Sequence, residues 1–280
     1  MKIAVTGATG FIARHLIPLL TIEHEVVAIA RFKNPSAKYP WLDGVERVAL
    51  DIVDLQKDAF ALIGKPDKLI HLAWGGLPNY KSSNHLLEGA MQLLFLKNVL
   101  EGGLRDLTVT GTCFEYGMRD GKLSENDITL PENPYGLAKD SLRKALAFLT
   151  TEKECTFRWI RLFYMYGEGQ NQNSLLSQLN RAIENGDEVF NMSGGEQLRD
   201  YLPIEEVANN IALIATQHSI TGVVNCCSGK PISVRKLVEN RIKAKKVNIS
   251  LNLGFYPYPE YEPMAFWGDD NKLKQLKVTH

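Results

Sequence analysis

The stretch Val5-Thr6-Gly7-Ala8-Thr9-Gly10-Phe11-Ile12-Ala13 constrains this chain more than any other. It follows the apolar run Ile3-Ala4-Val5 and leads into the amphipathic run Phe11 to Leu20. A buried strand, a glycine turn and a helix are therefore expected in succession. Gly7 and Gly10 allow backbone angles and close approaches that a β-carbon blocks. The first N–H groups and the positive end of the helix are then free to face a pyrophosphate. Ala13 is small enough for the helix and strand to pack closely. A tight turn with no ligand would show the same pattern, and its position after the first strand of an α/β pattern is what favours the dinucleotide reading.

The chain has 280 residues, enough for one large α/β domain or a domain with a small appendage, and 45% of them are hydrophobic. Lysine plus arginine equals aspartate plus glutamate at 32 each, so bulk charge points neither to nucleic acid nor to an acidic membrane. No run is long and apolar enough to span a bilayer, and the first residues enter a strand without a signal-peptide pattern. A cytoplasmic location is expected. Cys113, Cys155, Cys226 and Cys227 lack zinc-ligand spacing, and buried, reduced thiols are expected instead of a metal site.

Glu25 to Ala30 reads as the second strand and ends at Arg31, with Lys33 close behind. In a doubly wound sheet this strand end approaches the adenosine ribose, where a carboxylate suits a free 2′-hydroxyl and an arginine suits a 2′-phosphate. Arg31 and Lys33 therefore favour NADP(H) over NAD(H), the competing reading being two solvated surface cations. A third strand, Arg47 to Leu50, runs into Asp51-Ile52-Val53-Asp54, where an acid and an apolar residue can hold the adenine. Asp54 is equally placed to cap the next helix. Lys68 to Ala73 is a fourth strand; His71, inside it, reads as a hydrogen-bonded core histidine, and Trp74-Gly75-Gly76 opens the loop beyond. Helical spacing follows from about Ser83 to Leu100.

The fifth strand, Leu107 to Thr110, delivers Gly111 to Gly117 to the same sheet edge, and Tyr135-Gly136-Leu137-Ala138-Lys139 begins a helix through about Thr150. Tyrosine and lysine four apart face the same way on a helix. The Lys139 ammonium can then lower the phenol pKa of Tyr135 and hold a cofactor ribose, while Thr112 can complete a hydrogen-bond pair around a substrate carbonyl.

Thr6 to Ala13, Asp51 to Asp54, His71-Leu72-Ala73, Thr112 to Gly117 and Tyr135 to Lys139 together resemble an extended short-chain dehydrogenase/reductase. The chain is most similar to members that modify nucleotide-linked sugars, namely epimerases, 4,6-dehydratases and 4-keto reductases. The resemblance implies a Rossmann-type doubly wound parallel sheet over residues 1–165. Residues 166–280 would form mainly a small substrate-binding lobe, with some segments returning to the sheet.

Catalysis would fall to Thr112, Tyr135 and Lys139. The cofactor would meet Gly7, Thr9, Gly10, Phe11, Ile12, Arg31, Asp51 and Ile52, then Leu72, Ala73, Trp74 and Thr110, besides Tyr135 and Lys139. Thr156 to Phe163 reads as a sixth strand, and Phe163 at its end resembles the segment that holds the nicotinamide amide. Tyr164 stands where many relatives have a substrate-touching asparagine. Asn173, in a polar loop, is a further substrate candidate. By the resemblance Arg199 in Arg199-Asp200-Tyr201 binds the nucleotide diphosphate, an ion pair to a carboxylate being the alternative. Val223 to Asn225 is expected as a strand of the lobe, and the two helices Ser83 to Leu100 and Tyr135 to Thr150 resemble those of a homodimer contact.

Dehydratases of this family commonly place Asp-Glu directly after the threonine, whereas this chain has Cys113-Phe114. Dehydration is disfavoured, because neither side chain can move the required protons. The expected activity is NADPH-dependent reduction of a nucleotide-linked 4-keto-6-deoxyhexose. The alternative is a 4-epimerase of the same family, and outside enzymology a catalytically silent redox sensor.

Overall fold

The computed structural model describes residues 1–34, 38–54 and 57–279. Its centre is a parallel sheet of seven strands. These are β1 (Lys2–Thr6), β2 (Glu25–Ala30), β3 (Glu46–Ala49), β4 (Lys68–His71), β5 (Asp106–Thr112), β6 (Thr156–Leu162) and β7 (Gly222–Cys226). In space the order is β3-β2-β1-β4-β5-β6-β7, so the chain leaves β3 at one edge and resumes on the far side of β1. That reversal opens a crevice at the carboxyl ends of β1 and β4.

Alternation along each strand decides which face a side chain fills. Ile3 and Val5 of β1 pack with helices α1 (Phe11–Leu20) and α4 (Ile204–Thr216). Ala4 between them packs on the opposite face with α2 (Asn84–Gly102) and α3 (Pro134–Glu152). Both faces being covered, β1 and β2 read as continuous apolar runs.

Most expected elements are present with ends shifted by one or two residues. Two differences matter. Strand β5 continues to Thr112, carried by pairing with β6 through Thr112 opposite Leu162. The strand around Val223 to Asn225 is not part of the lobe: β7 pairs in parallel with β6, Gly222 opposite Arg158 through Cys226 opposite Leu162. It is thus one of the segments after residue 166 that return to the sheet.

The helices Leu175–Asn185 and Val234–Lys245 cover a separate small core of Leu176, Leu179, Phe190, Met192, Leu237, Val238 and Ile249. Two short parallel ladders join this lobe to the sheet edge. Tyr164–Tyr166 pairs with Tyr201–Pro203, and Gly121–Leu123 pairs with Phe266–Gly268. All four cysteines are buried and free. Among the described residues no helix is long and apolar enough to cross a membrane.

Candidate active site

Gly7 adopts φ +69°, and a β-carbon there would lie 2.9 Å from the backbone nitrogen of Ala73. Both the turn and the approach of β4 therefore require glycine. The N–H of Gly10 donates to the Gly7 carbonyl at 2.8 Å, and Gly10 precedes α1 with no side-chain cap. The first N–H groups of α1 remain directed into the crevice.

Two cavities meet over this turn. One, about 400 Å³, is lined by Gly7, Gly10, Phe11, Ile12, Leu72, Trp74, Thr110, Thr112, Tyr135, Lys139, Phe163 and Tyr164, among others. The second, about 310 Å³, is lined by Gly7, Thr9, Gly10, Arg31, Asp51, Ile52, Leu72, Ala73 and Trp74, with Gly75, Glu88 and Gln92. They share Gly7, Gly10, Leu72 and Trp74. Such a bent groove, with a glycine cradle at its waist, fits an extended dinucleotide. Every residue expected from sequence to meet a cofactor lies along it.

The expected substrate residues divide. Thr112 and Tyr164 line the larger cavity; Asn173 and Arg199 line neither. Arg199 is buried, with Nη2 2.9 Å from Glu262 Oε2 and Nη1 donating to the carbonyl of Leu198 at 2.9 Å. Its guanidinium sits over the rings of Phe266 and Tyr164, at 4.8 and 5.7 Å. The ion-pair alternative is the arrangement present. Asp54 does not cap the next helix either: Asp58 does, accepting from the Ala61 N–H at 2.9 Å. Arg31 is exposed at the rim of the second cavity, while Lys33 pairs with Asp51 at 3.5 Å.

Tyr135 and Lys139 lie in the first turns of α3, where Asn133 accepts from the Gly136 N–H at 2.8 Å as a cap and Pro134 opens the helix. Gly136 lets the helix start press against the turn after β5, since a β-carbon there would lie 2.7 Å from the Phe114 carbonyl. Thr112 is thereby set beside the Tyr135 phenol on the wall of the same cavity. Burial pushes the phenol well above its ordinary range, with Tyr80, Glu115 and Cys113 adding to the rise and Thr112 opposing it. A phenol so placed is protonated at neutral pH. Burial also pushes the Lys139 amine down to about 7, against the carboxylates of Glu115 and Glu88. Its Nζ donates to the Thr110 carbonyl at 2.7 Å.

Several residues at this site carry no sequence signal of their own. Tyr80, His85 and Phe114, together with the expected Trp74, surround the Tyr135 ring at centroid distances of 5.6, 5.2, 6.4 and 5.8 Å. Tyr261, from the far end of the chain, packs on Tyr80 and Phe114 at 6.2 and 6.3 Å. The position of residues 74–85 after a carboxyl strand end was the one available hint. Glu115, three residues after Thr112, lines neither cavity. Residues Cys113–Tyr116 form a 3-10 turn that folds its carboxylate under β5.

His71 has the expected structural role. Nδ1 lies 2.9 Å from Thr6 Oγ1 and Nε2 2.6 Å from Gln92 Oε1, linking β1, β4 and α2. Burial, helped by the charge of Lys139, pushes its pKa down to about 3 against the Gln92 hydrogen bond. The folded pKa is thus below the unfolded one, so the unfolded chain binds the extra proton between about pH 6.5 and about 3, and stability falls as pH drops through that window. Urea unfolding between pH 6 and 4 should show His71→Gln with a pH slope shallower by up to about 1.4 kcal/mol per unit. Equal slopes would rule this histidine out as a source of acid sensitivity.

Comparison with known proteins places the whole arrangement. The chain is 34% identical over 272 residues to the dTDP-6-deoxy-L-talose 4-dehydrogenase (NAD(+)) of Aggregatibacter actinomycetemcomitans, covering 96% of this chain and 99% of that one. It is 26% identical over 263 residues to the dTDP-4-dehydro-6-deoxyglucose reductase of Escherichia coli, covering 85% of this chain and 79% of that one. Among solved structures, the UDP-N-acetylglucosamine 4-epimerase from Methanobrevibacter ruminantium M1 superposes with a TM-score of 0.82 at 21% identity, covering 98% of this chain and 91% of that one. That likeness establishes the shared fold. The model of the NAD dependent epimerase/dehydratase family matches residues 3–227, from β1 to just past β7. With the glycine cradle, the crevice and the Tyr135/Lys139 helix all inside that span, the chain belongs to the NAD dependent epimerase/dehydratase family.

Proposed function

We propose that the protein reduces a nucleotide-linked 4-keto-6-deoxyhexose at C4, with NADPH as hydride source. The observation that carries this reading is the convergence of Thr112, Tyr135 and Lys139 on a cavity continuous with the glycine cradle. The bound nicotinamide supplies the hydride. Thr112 orients the carbonyl, Tyr135 gives its proton to the oxygen as charge develops there, and Lys139, one helical turn on, offsets the charge left on the phenol. Tyr135 is held protonated by burial, the state a proton donor requires. Cys113 and Phe114 beside Thr112 are buried and offer no acid-base pair, which supports reduction over dehydration. The name of the Aggregatibacter relative describes oxidation at the same carbon, the reverse of this reaction.

The test is to incubate the purified protein with NADPH and a panel of nucleotide-linked 4-keto-6-deoxy sugars. Loss of reduced nicotinamide and a product with a new 4-hydroxyl are expected. Interconversion of 4-epimers without net nicotinamide turnover would replace this reading with an epimerase. Arg31, at the rim of the adenosine end, supports NADP(H), whereas the Aggregatibacter relative is named for NAD(+). Arg31→Asp should weaken NADPH binding about 10- to 100-fold, the worth of a charged hydrogen bond, and leave NADH binding nearly unchanged. Equal losses in a binding titration would remove the preference.

A homodimer through α2 and α3 belongs to the same reading. The two helices pack together, and Leu86, Leu87, Met91 and Leu94 on α2 and Leu137 and Phe148 on α3 remain exposed, an apolar surface suited to a partner copy.

A further inference from the structure

A charged Lys139 has three N–H groups in a site it shares with aromatic rings and few acceptors. One goes to the Thr110 carbonyl, at 2.7 Å. On the groove side, Nζ stands 4.0 Å from the ring centroid of Trp74, well inside the distance at which an indole face attracts a cation. The indole is itself fixed. Its Nε1 donates to His85 Nδ1 at 3.1 Å, and the two rings lie 28° from parallel with centroids 6.3 Å apart. His85 Nε2 lies 2.8 Å from the Asn79 carbonyl. An indole N–H at Nδ1 and a carbonyl at Nε2 are satisfied together by the neutral Nε2–H tautomer. Gly76, at φ +78°, gives the imidazole its room, since a β-carbon there would lie 3.1 Å from Cε1.

We propose that Trp74, clamped by His85, is a positioning residue for Lys139: the indole face holds the ammonium against Thr110 and keeps it charged in a site sheltered from water. The inference rests on the place of Lys139 in the function proposed above, and not on which sugar is reduced. The other groups facing this ammonium are Glu115 from the turn after β5, Glu88 from α2, His71 from β4 and the Trp159 ring of β6 at 6.0 Å, while the Tyr135 phenol, on the same helix, lines the same cavity. His71 is neutral, and Glu115 is engaged by Arg161 and Trp159. Trp74 is the nearest of the surrounding rings and the one that also lines both cavities.

The test reads the lysine itself. In cofactor-free protein carrying 13C at the lysine ε-carbons, the Lys139 resonance is the one missing from Lys139→Met, and its pH titration gives the midpoint directly. Trp74→Leu should lower that midpoint by about one unit, Trp74→Phe by less, and His85→Ala by an intermediate amount as the indole loses its anchor. A folded Trp74→Leu with the wild-type midpoint would overturn the proposal, as would a Trp74→Phe midpoint lower than that of Trp74→Leu. Should Trp74→Leu fail to fold, His85→Ala decides: a lowered midpoint supports the clamp and an unchanged one overturns it. No substrate enters this measurement, so failure of the sugar assay and failure of this inference are separate results.

Discussion

Tyr135→Phe is expected to lower kcat by about 100- to 10,000-fold, the contribution a positioned general acid makes, with little change in cofactor affinity. The phenyl ring keeps its packing against Trp74, Tyr80, His85 and Phe114, so the groove retains its shape while the phenol hydroxyl is gone. In the proposed mechanism Thr112 still orients the carbonyl, so the loss is expected in the chemical step. Steady-state turnover and a nicotinamide binding titration on the same preparation separate the two effects. Turnover near wild type would eliminate Tyr135 as donor, and a parallel loss of cofactor affinity would mean that the hydroxyl serves binding instead.

Glu115→Ala should cost about 3–5 kcal/mol of stability, the usual penalty for stripping one partner from a buried ion pair. Glu115 is fully buried, with Oε2 accepting from Arg161 Nε at 2.7 Å and Oε1 from Trp159 Nε1 at 2.9 Å and from the Thr112 N–H at 2.8 Å. Gly111 makes the arrangement possible, because a β-carbon there would lie 2.1 Å from Trp159 Nε1 and 2.3 Å from Glu115 Oε1. Without the carboxylate, Arg161 is left as an uncompensated cation in the sheet, with its Nη1 already lacking a hydrogen bond. The double variant Glu115→Leu/Arg161→Met removes both charges and should recover most of the loss. Urea unfolding of the three proteins checks this; a single variant within about 1 kcal/mol of wild type would mean that solvent reaches Arg161 after the change.

Much of the site was legible because its signals are local. A glycine turn between an apolar run and a helix, an arginine closing the second strand, and a tyrosine and lysine four apart each depend on spacing within one element. Spacing is conserved between chain and fold whenever the element forms. Arg199 shows where such reasoning ends. The residue type suits a diphosphate as well as it suits Glu262, and only the return of the chain at residues 262–264 brings the carboxylate to it.

By itself, then, the amino-acid sequence determined the order of strands and helices through β6, the glycine cradle and the pairing of Tyr135 with Lys139, since periodicity and short-range geometry suffice for these. Tertiary structure alone decided that β7 belongs to the central sheet, that Glu115 lies beneath Thr112, and that Tyr80 and His85 pack on the Tyr135 ring with Tyr261 behind Tyr80. Each of those facts joins residues far apart along the chain, and such contacts are chosen by the packing of whole faces against one another, which no local pattern encodes.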